Sequence, residues 1–281
     1  MVLGDAAAGR WKTDRGMLVT ATVRMGALRV TLNSPALAVR RLHLRWRGSI
    51  GGTPSILGDA WERGYGDLEW RGWVPDRVMP WYFVMNDGEL THGYGVRTSP
   101  AAFCWWRVES DGISLWADVR SGAAGIALGE RALDVCDVVC RAGHSGESAF
   151  AALRAFCHQM CPSPRLPPDP VYGSNDWYST YGDNSADTVH ADALRIVELS
   201  PASRNRPYAV IDDGWQPGGG KNKPGAGLWD RGNEKFPDMP GLAADVRRAG
   251  ARPGIWNRPF QAAADPPGRW RFRADHGPLD P

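Results

Sequence analysis

The sequence predicts an antiparallel β-sandwich followed by a strand–helix domain, either a βα barrel or an open α/β sheet. Three observations predict it. Period-two hydrophobic alternation runs through the first ~160 residues. A proline-rich stretch then interrupts it. Beyond that stretch, apolar runs alternate with helical patterns at a spacing of roughly 35–45 residues.

The alternation is plainest where Leu42, Leu44 and Trp46 interleave with Arg41, His43 and Arg45, giving a strand with one wet face. Leu28, Val30 and Leu32 repeat it, as do Ile113, Leu115, Ala117 and Val119. Asp87-Gly88 and Asp111-Gly112 fall between apolar runs and read as hairpin turns. From Ser148 the period lengthens, and Phe150, Leu153, Phe156, Cys157 and Met160 predict one apolar face of a helix. Residues 161–170, Cys-Pro-Ser-Pro-Arg-Leu-Pro-Pro-Asp-Pro, hold five prolines and read as a stiff linker. The expected domains are therefore 1–160, the linker 161–170, and 171–281. In the last of these, strands are expected at 171–175, 208–212 and 253–256. Helices are expected from an N-cap at Ser185 to about Leu199, and over 240–248 with Gly250 beyond the end.

Composition narrows the function classes. Hydrophobic residues make up 43% and charged residues 23%, which is ordinary for a soluble globular chain. The net charge of +2 gives no electrostatic case for nucleic acid or an acidic membrane surface. No apolar run reaches membrane-spanning length, and Met1 to Arg15 lacks the apolar region of a signal peptide. Five cysteines, Cys104, Cys136, Cys140, Cys157 and Cys161, are an odd number with no secretion signal, so buried, reduced thiols and a cytoplasmic location are expected. Their spacing does not suit zinc. Gly218-Gly-Gly-Lys221 lacks the first glycine and the Ser/Thr of a phosphate loop, and reads as a mobile loop. No nucleophile elbow or metalloprotease helix motif is present.

Tryptophan is the compositional outlier, with 14 copies. Large cores and strand propensity account for many of them. Those beside Gly, Asp and Asn in loops, such as Trp215 and Trp229, fit less well. Residues at the carboxyl ends of strands converge in βα architectures. Three such ends are legible: Asn175-Asp-Trp-Tyr178; Asp212, Asp213 and Trp215; and Trp256-Asn-Arg258. Carboxylates accept hydrogen bonds from sugar hydroxyls, and indole faces pack on pyranose C–H groups, so the set points to carbohydrate. Capping and core packing are the competing account of the same residues. Asp212 and Asp213 are adjacent on one strand, so they do not face each other as a retaining glycosidase pair must at ~5–5.5 Å. They read as hydroxyl binders. In the first domain, Leu57-Gly-Asp-Ala-Trp-Glu-Arg-Gly-Tyr-Gly-Asp-Leu-Glu-Trp70 is dense in acids and aromatics without periodicity. It reads either as a plain edge loop or as one that lines a neighbouring pocket.

At these residues the chain resembles a family. Asn175-Asp-Trp-Tyr178, Ile211-Asp-Asp-Gly-Trp-Gln216, Gly227-Leu-Trp229, Lys235-Phe-Pro237 and Arg252-Pro-Gly-Ile-Trp256 resemble the barrel start of melibiase-type α-galactosidases, glycoside hydrolases of clan D, family 36. Gly58-Asp-Ala-Trp-Glu-Arg63 and Leu128-Gly-Glu-Arg131 resemble the N-terminal β-supersandwich of that group. The resemblance implies a β-supersandwich followed by the first three βα units of an incomplete (β/α)8 TIM barrel. It implies retaining hydrolysis of terminal α-galactosides. Asp212 and Asp213 would hold the sugar, and Trp177 and Trp61 would shape its pocket; Tyr178, Trp215 and Trp256 join them as candidate sugar contacts from the strand ends. No metal or organic cofactor is implied.

The family's nucleophile lies in a Lys-x-Asp motif on strand 4 and its acid/base on strand 6. The one Lys-x-Asp here, Lys12-Thr-Asp14, is at the wrong end. A full barrel takes roughly 200–250 residues, and Val171 to Pro281 supplies about half of that. Gly277-Pro-Leu-Asp-Pro281 resembles the approach to strand 4. The expectation is an N-terminal fragment with its catalytic residues beyond Pro281, inactive alone. A non-catalytic carbohydrate-binding remnant and a clan relative with another sugar specificity are the alternatives. A homo-oligomer of the full-length protein is also left open.

Overall fold

The computed structural model describes residues 9–61, 68–219 and 229–258. The chain divides into two compact units between Arg165 and Leu166.

The first unit is mostly β. Its strands are β1 Gly9–Lys12, β2 Leu18–Arg24, β3 Ala27–Asn33, β4 Arg41–Arg47, β5 Ser55–Gly58, β6 Met79–Pro80, β7 Tyr82–Asn86, β8 Thr91–Val96, β9 Phe103–Glu109, β10 Gly112–Asp118 and β11 Ala132–Arg141. They form a seven-stranded sheet in the order β1-β2-β3-β11-β8-β7-β5 and a four-stranded sheet in the order β4-β10-β9-β6. All pairings in both are antiparallel. The alternation read in the sequence selects the inner faces. Val30 and Leu32 from the larger sheet and Trp106, Ile113 and Leu115 from the smaller one are buried in one core. Each such side chain contributes about 1.5–3 kcal/mol through burial.

The chain changes sheets between β6 and β7, at Trp81. Its φ is +65°, uncommon for a bulky residue, and surrounding bonds hold it there. The Trp106 indole N–H donates to the Trp81 carbonyl at 3.0 Å, and the Trp81 N–H donates to Cys104 O at 3.1 Å.

Helix α1, Ala149–Met160, starts at Ser148, whose hydroxyl accepts the Ala151 N–H. Its buried face is Ala152, Phe156 and Met160. Phe150 is 69% exposed and Cys157 is exposed, which corrects the predicted face. The reason lies on β8. Gly93 and Gly95 leave a notch in which Phe156 and Met160 sit, and a Cβ at Gly93 would lie 2.4 Å from the Phe156 ring. A further correction concerns the loop read from Leu57, since Leu57 and Gly58 belong to β5. Residues 62–67 of that segment lie outside the described residues.

The second unit carries β12 Gly173–Asn175, α2 Trp177–Thr180, α3 Ala186–Leu199, β13 Tyr208–Ile211, α4 Met239–Ala249 and β14 Arg252–Ile255. The strands form a parallel sheet in the order β12-β13-β14. Ser185 caps α3 in a reciprocal box with Thr188, Asp238 caps α4, and Gly250 ends α4 at φ +96°. Val189 and Ala193 of α3, Ala209 and Ile211 of β13, and Leu242 and Val246 of α4 share a core with Trp215 and Phe236. Parallel strands joined through helices, here α2 and α3 and then α4, are common to a barrel and an open α/β sheet.

Among the described residues all five cysteines are free; Cys104 and Cys136 are buried, and Cys157 is exposed, against the expectation of burial. No described helix is long and apolar enough to cross a membrane.

Candidate functional site

Because β12, β13 and β14 run parallel, their carboxyl ends lie on one edge of the sheet. Asn175 and Asp176, then Asp212 and Asp213, then Trp256 and Arg258 follow one another along that edge.

Asp212 is half-buried and sits at the centre. Its carboxylate accepts the Asn175 side-chain N–H at 2.7 Å and the Asp213 backbone N–H at 2.7 Å. A carboxylate offers about four acceptor positions, so Asp212 retains capacity for hydroxyl donors. Asp213 is buried at 6% exposure. It accepts the Gln216 side-chain N–H at 2.6 Å, and its other oxygen lies 3.5 Å from the Arg258 guanidinium.

Asp176 lies beneath them, 4% exposed. One oxygen accepts the Asp212 backbone N–H at 2.8 Å, and the other accepts the Asn184 side-chain N–H at 3.0 Å. Burial pushes its pKa up; the Asn184 and Asp212 hydrogen bonds oppose that rise, and the Asp212 charge adds to it.

The aromatic residues divide in two. Trp256 is half-buried, and the Arg258 guanidinium carbon stands 4.9 Å from its ring centroid. Trp177 is half-buried and Tyr178 exposed, both in the turn α2 rather than at the end of a strand. Tyr181, at φ +49°, meets both edge-on at 5.8 and 6.4 Å. Trp215 is different. It is 4% exposed within the core, and its indole N–H donates to Trp256 O at 2.8 Å. It ties the ends of β13 and β14 together and offers no open face. Trp61 belongs to the first unit, where it is 49% exposed and stacked on Phe103 at 4.6 Å.

Sequence reasoning missed the residues that hold the edge in shape. Asn184 and Gln216 are fully buried. Asn233 donates to the carbonyls of Gly214 at 2.7 Å and Gln216 at 3.2 Å, and the Lys235 ammonium donates to Gly182 O at 2.9 Å. Gln216, inside the Asp-Asp-Gly-Trp-Gln run, had a local signal; Asn184, Asn233 and Lys235 are too far from the pair in sequence to give one. Gly220 and Lys221 of the glycine-rich run, and Gly227 and Leu228, lie outside the described residues. Among the described residues no group of three or more His, Cys, Asp or Glu is placed to hold a metal ion. The edge presents acceptor oxygens and aromatic surface, the chemistry that binds hydroxyl-rich ligands.

No family model and no curated protein matches the chain. Among solved structures the fold is similar to the GH36 α-galactosidase AgaB of Geobacillus stearothermophilus. The TM-score is 0.52 at 15% identity, over 91% of this chain and 38% of that one. The GH36 α-galactosidase AgaA of the same organism gives 0.50 at 15% identity, over 87% of this chain and 38% of that one. A variant of AgaA in complex with 1-deoxygalactonojirimycin gives 0.50 at 16% identity, over 91% and 39%. The likeness is one of fold, and this chain spans less than two-fifths of the length of those structures.

Proposed function

We propose that this chain carries the sugar-recognition part of a glycoside hydrolase acting on terminal α-galactosides, with its second unit built as the first three βα units of a barrel. The observation that carries the reading is the strand-end edge, where Asp212 keeps free acceptor capacity beside Asn175, Trp177 and Trp256. Asp212 takes sugar hydroxyls directly. Asp213, being more deeply buried, takes a hydroxyl once Arg258 swings off it. Trp177, Tyr178 and Trp256 supply surface for the C–H face of the ring, and Trp215 supports them from below. The fold likeness to α-galactosidases supports galactose as the sugar.

No catalytic role is proposed for Asp176, Asp212 or Asp213. Each is committed to hydrogen bonds that order the edge, and the last two are sequence neighbours, unlike a pair set across a scissile bond. The activity of the described residues is therefore recognition.

Calorimetric titration of the whole chain with galactose tests this. The expected dissociation constant is on the order of 1 mM, or about −4 kcal/mol. Asp212→Ala removes a charged acceptor, expected to cost ~1.5–3 kcal/mol, a loss of roughly 10- to 150-fold. Equal affinity in the wild type and Asp212→Ala would overturn the assignment.

A further inference from the structure

Asn184 is fully buried, yet its side-chain oxygen has no hydrogen-bond partner among the described residues. That oxygen faces Gly214, where a Cβ would lie 2.6 Å from it. Its NH2 group, by contrast, meets three acceptors: Asp176 Oδ2 at 3.0 Å, Asp213 O at 3.3 Å and Asp212 O at 3.4 Å. Turning the amide over would set an oxygen against all three. The orientation thus serves those acceptors at the expense of the amide's own oxygen. Asp176 closes the arrangement from the other side by accepting the Asp212 N–H at 2.8 Å. Apart from the bond that joins Asn184 to Asp176, these contacts fall on the backbone of Asp212 and Asp213 and not on their carboxylates.

We infer that Asp176 and Asn184 are positioning residues which fix the Asp212–Asp213 peptide and so set the geometry of the sugar clamp. The consequence for sugar rests on the proposed function; the positioning itself does not. Asp176 needs to accept twice, and the two N–H groups of Asn184 are shared among three acceptors, so the pair is not interchangeable. In Asp176→Asn the new NH2 confronts either the Asn184 NH2 or the Asp212 N–H, so one of the two accepted bonds is lost. In Asn184→Asp the donor is gone. In the double exchange, Asp176→Asn with Asn184→Asp, one bond between the two side chains is restored while Asp213 O still lacks its donor.

The test is amide hydrogen exchange of the whole chain by NMR, alongside galactose titration. In the wild type, the Asp212 N–H and the Asn184 NH2 protons are expected to exchange slowly, an observation that stands even if a variant fails to fold. Either single variant should speed exchange at Asp212 at least 10-fold while leaving β10 in the first unit unchanged, and should weaken galactose at least 10-fold. The double exchange should recover most of the melting temperature but not the affinity. Fast exchange at Asn184 in the wild type, unchanged exchange at Asp212 in the variants, or affinity that returns with the melting temperature would each overturn the inference. If the wild type binds no galactose but exchange responds as stated, the positioning stands and the sugar reading falls.

Discussion

Gly214 sits at the turn that delivers Asp212 and Asp213, and replacing it with alanine puts the packing of that turn on trial. Its φ is +115°, a conformation that side-chain-bearing residues rarely adopt. The strain of holding alanine there is about 1–3 kcal/mol. The new Cβ would also lie 2.6 Å from both Asn184 Oδ1 and Gly182 O. Backbone cannot yield cheaply, so Asn184 has to move. Its bonds to Asp176 and Asp213 O are then lost, at ~1 kcal/mol each. The sum is about 3–5 kcal/mol, a large part of the ~5–15 kcal/mol that a domain possesses. Gly218→Ala is the control. Its φ is +79°, but nothing lies within 4 Å of the added carbon, so strain alone remains. Urea unfolding followed by tryptophan fluorescence reads both. The transition of the second unit is the one that Phe236→Ala displaces, since Phe236 is buried in that core alone. With a slope of ~2 kcal/mol per molar urea, Gly214→Ala should lower that midpoint by about 1.5 M or more, and Gly218→Ala, where a left-handed φ costs about 1–2 kcal/mol, by ~1 M or less. Equal effects of the two substitutions would refute the steric account of the turn.

Other expectations concern the first unit. Trp106→Phe removes the bond to Trp81 O that pins the strand crossing, and it opens space in the core; a destabilisation of ~2–4 kcal/mol is expected in urea melts, and less than ~1 kcal/mol would contradict that role. His43 stacks on Trp116 at 4.1 Å and 6°. Its pKa lies below 6.5 because burial against that ring strips water from one face and Arg45 adds repulsion, with Glu109 opposing. The unfolded chain therefore binds the proton more readily, and stability falls as pH drops below about 6.5 toward the lower folded value. Measured at pH 7 and again at pH 5.5, the stability of the wild type relative to His43→Gln should decline, whereas a constant difference would refute the shift.

What was legible in the sequence was local. Alternation alone places Leu42, Leu44 and Trp46 on one face of β4, and Ser185 and Gly250 mark helix ends through their own chemistry. The face of α1 was not legible, because the notch made by Gly93 and Gly95 on a distant strand decides which residues dock. The turn α2 has four residues, too few to show a period. At the site, the two aspartates stood out as a motif. Their support did not, because Asp176 and Asp212 bond across 36 residues and Asn184 and Asp213 across 29. Spacing of that kind depends on the path of the chain. Trp215 misled for a related reason: its motif suits a sugar site, while its indole N–H is spent on Trp256 O within the core.

Indole resonances report directly where a sugar sits. Galactose titrated into the 15N-labelled chain should shift the indole N–H signals of Trp177 and Trp256 together with the Asp212 and Asp213 amides. It should leave Trp106 still. Shifts confined to indoles of the first unit, or none at sugar concentrations well above ~1 mM, would contradict the proposed site.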